Sequence, residues 1–437
     1  MIFIIALVLL FNAYVLRCTL NSRKVNIILK VSILFYSAMW LIVPGIGMIL
    51  VENDEIQNGI ISSDIVELYA LETILFGTAL LAFLFFGKIS KEQKPTIKKT
   101  TFYFFSILYL LMTIYNIFNG KHDYQSSNNL LDASSTVFTG TILLINDLMA
   151  ATFIYLALQI GQKKLKAIAM FLVLLNVFSN VLTGARIGFV SILFIVFFEL
   201  YKYQTLPGSK VKFKIILASY ILIFLLFLGV MGMTGSIGKT RAKQSVSAED
   251  ITLVNMDATN IFNDLYTKFD SIKTGVRLIK GYGAGVAGFT PYWGSILYFV
   301  PRFIYPDKPI SGSIDNTYYG IPARLVPALI NANDTINNVG VSPLAISIWH
   351  WGWLAGPIII WLTGLLNINL LNYLLNKNTL LLKSLGIYII PIPGFINIFQ
   401  SPDVVIKHVV LALLCMILIK FYSLLTKSGN RISLKAI

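Results

Sequence analysis

The feature that most restricts what this chain can fold into is its succession of uninterrupted apolar blocks. Each is about 17 to 25 residues long, the length a helix needs to cross ~30 Å of hydrocarbon. Eleven such spans are read at about 1–17, 27–50, 66–87, 101–118, 137–160, 167–183, 187–203, 214–234, 344–366, 380–398 and 405–426. Only 13% of the 437 residues are charged, about half the share in soluble globular proteins. A soluble enzyme and a disordered chain are thereby excluded. So is a β-barrel, whose strands alternate in pieces of about ten residues. Two cysteines, Cys18 and Cys415, lie in separate blocks and make no disulfide or metal framework. The N-terminal stretch MIFIIALVLLFNAYVLR lacks a basic leader and a small-residue cleavage site, so it reads as a first span.

The fold expected is an all-α polytopic integral membrane protein. Its three sections are 1–234, 235–343 and 344–437: eight spans, one large extracytoplasmic loop with amphipathic and re-entrant helices, then three spans. Charge gives the orientation. Alternating the sides gathers 22 of the 35 basic residues on one side, against Glu92 and Glu199. Basic loops mark the cytoplasmic side, which puts the N-terminus outside and the C-terminus in the cytoplasm. The net charge of +15 is therefore a matter of membrane orientation, and no nucleic-acid partner is expected.

The loop 235–343 is far longer than a turn, and function is expected there. Within it Phe262, Leu265, Phe269, Ile272, Val276 and Ile279 step by three and four, with Asp264, Lys268, Asp270, Lys273 and Arg277 on the other face. This is an amphipathic helix that either packs over the bundle or lies on lipid head groups, with Gly281 as its expected stop. GYGAGVAG, from Gly281 to Gly288, is either a connector or a loop whose amides approach a phosphate. The near-match Gly232…Gly238-Lys239-Thr240 has five residues between its glycines where a phosphate-binding loop has four, and it is rejected. Trp293 to Tyr305 is apolar but too short to span, which predicts a re-entrant or interfacial segment. Arg302, Lys308 and Arg324 punctuate this part of the loop, with Asp307 and Asp315 as their acidic company. Tyr318 and Tyr319 are aromatic faces suited to a membrane interface or to stacking on sugars.

Arg186 sits in the tight link Thr183-Gly184-Ala185-Arg186-Ile187-Gly188. Its guanidinium either snorkels to lipid phosphate or grips a diphosphate. Glu72 and Asp147 fall inside apolar blocks, where a carboxylate has to face the bundle interior or a water-filled cavity. His350, in Trp349-His350-Trp351-Gly352-Trp353, stands at the outer end of its span as a packed belt residue or as a general base. The outer segments hold no HxxH, HExxH or DxD pattern, so no metal and no other cofactor is expected.

Taken together, the layout resembles the bacterial oligosaccharide repeat-unit polymerases, the O-antigen polymerase (Wzy) family. NVLTGARIGFVSILF is similar to that family's helix end followed by arginine and another helix. VPRFIYPDKP resembles its Pro-Arg…Lys-Pro segment in the outer loop. Arg277 and Gly288 are separated by ten residues, as in a loop motif of some members, whereas nine separate Arg302 from Gly312. NNVGVSPLAISIWHWGWLAGPI resembles the start of the following helix, without the acidic residue often found there.

The resemblance implies a membrane glycosyltransferase in the bacterial cytoplasmic membrane. Its substrate would be an oligosaccharide on undecaprenyl diphosphate, polymerised at the outer face for O-antigen, capsule or exopolysaccharide. Arg186, Arg277 and Arg302, followed by Arg324 and Lys308, would hold the diphosphate. Tyr318 and Tyr319 would hold sugar, and His350 or Asp315 would serve as base. A chain-length regulator, a flippase and membrane lipids are the implied partners. Two other readings stay open: a ligase that uses the same lipid carrier, and a transporter of lipid-linked sugar.

Overall fold

The computed structural model describes residues 2–42, 63–87, 99–118, 136–182, 271–285, 342–389 and 402–426, with scattered helical positions at 44–49 and 195–202. Among these residues there is helix and no strand. The helices are α1 (Ile2–Asn21), α2 (Ile27–Tyr36), α3 (Ser63–Phe86), α4 (Lys99–Phe118), α5 (Thr136–Gln159), α6 (Lys163–Leu182), α7 (Ser271–Tyr282), α8 (Pro343–Asn376), α9 (Leu380–Ile389) and α10 (Pro402–Thr426). Three of them, α1, α3 and α8, are long and apolar enough to cross a membrane. The predicted spans at 187–203 and 214–234 lie almost wholly outside the described residues.

The chain forms two compact units that interleave along the sequence. The first contains α1, α2, α3, α7, most of α8 and α10; the second contains α4, α5, α6, the end of α8 and α9. In the first, α3 is the central helix: 56% of its most apolar window is buried, against 33% for α1 and for α8. Helix α1 shows why lipid is its surrounding medium. Ile5, Val8, Asn12, Val15 and Thr19 form its buried stripe, yet Phe3, Leu7, Leu10 and Tyr14 form a second apolar line that is exposed. A surface helix in water has one apolar face, whereas a helix with two is matched to protein on one side and hydrocarbon on the other.

An apolar medium offers no partner to a free backbone group, so each has to be satisfied within the protein. Asn26 caps α2, accepting from the Ile28 N–H at 2.9 Å, while its own N–H donates to Asn372 Oδ1 at 2.9 Å. Asn372 Nδ2 in turn donates to the Lys24 carbonyl at 3.1 Å. Beyond Tyr36 the helix widens into a π-helical stretch, Ser37–Ile42, a form that disturbs the regular ladder. The Tyr69 hydroxyl of α3 donates to the Leu41 carbonyl there at 2.6 Å. The Tyr36 and Phe76 rings pack 4.8 Å apart across the same contact.

The second unit is built on α5, which packs against α6 and α9. Tyr109 stacks on Phe153 with ring centres 5.0 Å apart, and Asn176 donates to the Tyr109 hydroxyl. Thr152 donates to Ser384 at 2.8 Å. Lys383 is fully buried here: its ammonium donates to the Leu375 carbonyl at 2.7 Å and lies 5.3 Å from the centre of the Tyr155 ring. The ammonium is thus an internal cap on the last turn of α8.

Tyr69→Phe tests the π-helical contact. It removes only the donor to Leu41 and leaves a buried carbonyl without it, at a cost of about 1–3 kcal/mol. Thermal unfolding of the purified protein in detergent is expected to shift downward.

Candidate functional site

Of the sequence-predicted residues, Glu72, Arg277 and His350 are described and belong to the first unit, whereas Asp147 is on α5 of the second. Helix α7 carries the second half of the predicted stripe. Ile272, Val276 and Ile279 are buried, as is Leu278, while Arg277 and Lys280 are exposed. The earlier members of the stripe, Phe262, Leu265 and Phe269, lie outside the described residues. Packing against helices is therefore the fate of this half of the stripe. A Cβ on Gly275 would stand 2.5 Å from Ala345 Cβ, 3.3 Å from Ser342 Cβ and 3.4 Å from Leu68 Cδ2. Only a glycine lets α7 settle this closely between α3 and the start of α8. Lys280, in the last turn of α7, pairs with Asp64 in the first turn of α3. Each charge complements the dipole of its own helix. Both are substantially exposed, so the pair orients α7 more than it stabilises it.

The helix does not stop at Gly281. It runs to Tyr282, and Gly283 takes the left-handed conformation (φ 82°) with its N–H on the Ile279 carbonyl at 2.9 Å. This is the single-bond left-handed helix cap, displaced from the expected stop because the capping amide belongs to Gly283. The next glycine amide is also taken. Gly285 N–H donates to the Ile348 carbonyl of α8 at 3.1 Å. Two amides of the glycine-rich stretch are therefore spent on helix ends.

Helix α8 explains why Ile348 accepts that bond. The span read as continuous over 344–366 is broken at Gly352, whose backbone (φ 82°, ψ 176°) is accessible essentially to glycine alone. The arms are 343–351 and 353–376. Carbonyls in the last turn before such a break lose their helical donors, and Gly285 supplies one. The arms also fold against each other. Ser347 Oγ donates to the Gly356 carbonyl at 2.8 Å, and a Cβ on Gly356 would lie 2.8 Å from the Ile348 backbone. In an unbroken helix residues this far apart in sequence would be roughly 13 Å apart. The second arm alone is about 36 Å long.

His350 sits near the end of the short arm and is buried, 1% exposed. At the other end Ser342 precedes Pro343 and caps the arm, its Oγ accepting from Ala345 N–H at 3.3 Å. Ser342 Oγ also donates to Glu72 Oε2, and the Leu344 amide stands close to the same carboxylate. Glu72 thus faces the bundle interior, as expected. The structure brings Arg277, Glu72 and His350 into one unit around the short arm. Arg186, Arg302, Lys308, Asp315, Tyr318, Tyr319 and Arg324 lie outside the described residues.

Sequence reasoning missed Ser342 and Gly352. Ser-Pro ahead of an apolar run is a helix start, with the cap at serine and proline in the first turn, so Ser342 was findable. Among the described residues no group of three or more histidine, cysteine, aspartate or glutamate side chains is placed to hold a metal ion. No protein-family model, curated protein or solved structure matches the chain.

Gly352→Ala tests the break. A Cβ there meets open space, so the cost is purely conformational, about 1–3 kcal/mol. The unfolding temperature in detergent is expected to fall, and amide exchange over 343–351 to accelerate. Gly161→Ala, equally unobstructed but outside any helix, serves as the neutral control.

Proposed function

We propose that the protein is a polysaccharide polymerase, a membrane glycosyltransferase that joins oligosaccharide repeat units carried on undecaprenyl diphosphate at the outer face of the bacterial cytoplasmic membrane. The observation that supports it best is Arg277. A helix clamped by its apolar side onto membrane-type helices leaves a guanidinium exposed beside the broken arm that bears His350. A fixed, permanently charged planar fork suits a diphosphate.

In the reaction proposed, a hydroxyl oxygen of the incoming unit attacks the anomeric carbon of the growing chain. A new C–O bond forms as the bond from that carbon to the diphosphate oxygen breaks, and undecaprenyl diphosphate leaves with the electron pair. The hydroxyl proton passes to a base, assigned to His350 with Asp315 as the other choice. Arg277, with Arg186 and Arg302, meets the negative charge that builds on the leaving oxygen, an electrostatic stabilisation of the transition state. Arg324 and Lys308 extend the same basic surface, and Tyr318 and Tyr319 are assigned to sugar. Cleavage of the diphosphate ester supplies the driving force, so the reading invokes no metal or nucleotide.

A second reading draws on a specific observation. A broken helix with a buried acid at its start is also how many transporters build their sites, and Glu72 with α8 has that form. Transport of the lipid-linked sugar is the alternative it favours.

Purified wild type given only synthetic lipid-diphosphate-linked repeat units is expected to produce a ladder of polymers. Arg277→Ala is expected to lower the rate by about 100-fold or more, the scale of losing one transition-state contact, and Arg277→Lys to recover only part. The absence of a ladder, with substrate instead crossing liposomes, would leave the transporter reading.

A further inference from the structure

The carboxylate of Glu72 is 95% enclosed by protein, being 5% exposed, yet it is no bystander in the packing. It belongs to α3, the central helix of its unit, and it meets the N-terminal end of the short arm 343–351 through Ser342 Oγ, with the Leu344 amide close by. The first amides of a helix have no partner within it, and its dipole places partial positive charge at that end. A carboxylate from another helix therefore serves as an intermolecular-style cap within one chain. The arm is short, and its far end is a glycine break. Other ties of the arm among the described residues include Ser347 to Gly356, Gly285 to Ile348, and the close approach of Ala345 to Gly275. What fixes its beginning also fixes His350, about two turns on, and the docking of α7 with Arg277.

We infer that Glu72 is a positioning residue: its carboxylate, hydrogen-bonded to Ser342 at the start of the arm 343–351, sets the placement of that arm for the chemistry at the outer end. This rests on the glycosyl-transfer reading for its consequence and on the geometry alone for its cause. The carboxylate does the holding, as the hydrogen-bond partner of Ser342 at the helix start. It follows that the carboxylate can be moved to the other partner of the same hydrogen bond. Ser342 already occupies the capping position, where aspartate is an equally good cap. One carboxylate at this point suits the helix end, whereas two side by side repel.

The experiment is a double-mutant cycle on the full-length protein in detergent: wild type, Glu72→Gln, Ser342→Asp and the two combined. Hydrogen exchange of the amides in 343–351 is the first readout and the rate of polymer formation the second. Each single variant is expected to exchange about tenfold faster in this arm than wild type, the scale of a helix-end charge in a partly buried setting. The combined variant, with one carboxylate restored, is expected to return to within about threefold of wild type. Polymer formation is expected to fall in turnover with each single change, with little effect on the substrate concentration needed, and to recover in the pair. Losses that simply add in the pair would overturn the inference, because they mark Glu72 as packing alone. An arm that loosens with no change in polymerisation would also overturn it. If Glu72→Gln does not fold, recovery of folded protein by adding Ser342→Asp supports the inference and failure to recover overturns it. A cycle that behaves as expected in exchange, with no ladder from wild type, refutes the polymerase reading and leaves Glu72 as the holder of the arm.

Discussion

Backbone groups in an apolar surrounding must find their partners inside the protein, and in this chain lysines supply many of them at helix ends. Lys24 donates to the Leu84 and Phe85 carbonyls at 2.7 and 3.1 Å, closing the C-terminal turn of α3. Lys30 does the same for α1 through Leu20 at 2.7 Å, and Lys383 for α8 through Leu375. Each cation meets the negative end of a helix dipole as well as an orphan carbonyl. The lysine is thus held by the helix end it closes. At the opposite kind of end, the start of the arm 343–351, the chain uses a carboxyl group, Glu72. In these four cases the side chain's chemistry matches the helix end it faces.

This rule changes how the charge pattern reads. Basic residues beside apolar blocks are ordinarily taken as orientation signals, and Lys24 and Lys30 fit that account in sequence. In the structure they are also joints between helices of one unit. A lysine can serve both purposes at once, since its long stem lets the ammonium reach a carbonyl end while the residue sits in a connecting loop. Lys383 belongs to the second category alone, because it is fully enclosed.

What the sequence disclosed divides along the same physical line. Apolar length fixes where helices lie, so α3, α4, α5 and α10 begin and end within a few residues of the blocks read for them. Helix α1 runs on to Asn21, past Arg17, because Thr19 bonds back to the Val15 carbonyl and Lys30 closes the end from α2. That extension depends on a residue brought in by folding, which no local pattern reveals. The break in α8 was hidden for a related reason. Trp349 to Trp353 is rich in tryptophan and has no proline, and Pro357, the conventional breaker, lies inside the second arm. Glycine in an apolar run is ambiguous in sequence, since it serves equally for close packing, as Gly356 does, and for a reversal, as Gly352 does. Of the site, Glu72, Arg277 and His350 stood out because charge and imidazole are conspicuous in an apolar chain. Their relation to one another was not legible, for it runs through Ser342 and the glycines of two distant segments.

The arrangement around the short arm has a consequence for how a catalytic end could work on a membrane scaffold. Chemistry needs its groups held to well within an ångström, and sites on rigid elements achieve this better than sites on loops. Sequence shows α7 as an amphipathic helix within the long loop and the short arm as the start of a span, but shows nothing of what holds either in place. They acquire rigidity from α3: Leu68 meets Gly275, Asp64 meets Lys280, and Glu72 meets Ser342, at successive levels along one helix. A single central helix thereby sets the position of both the exposed arginine and the enclosed histidine. On α3 the contacts that hold these two elements lie at Asp64, Leu68 and Glu72, one helical turn apart.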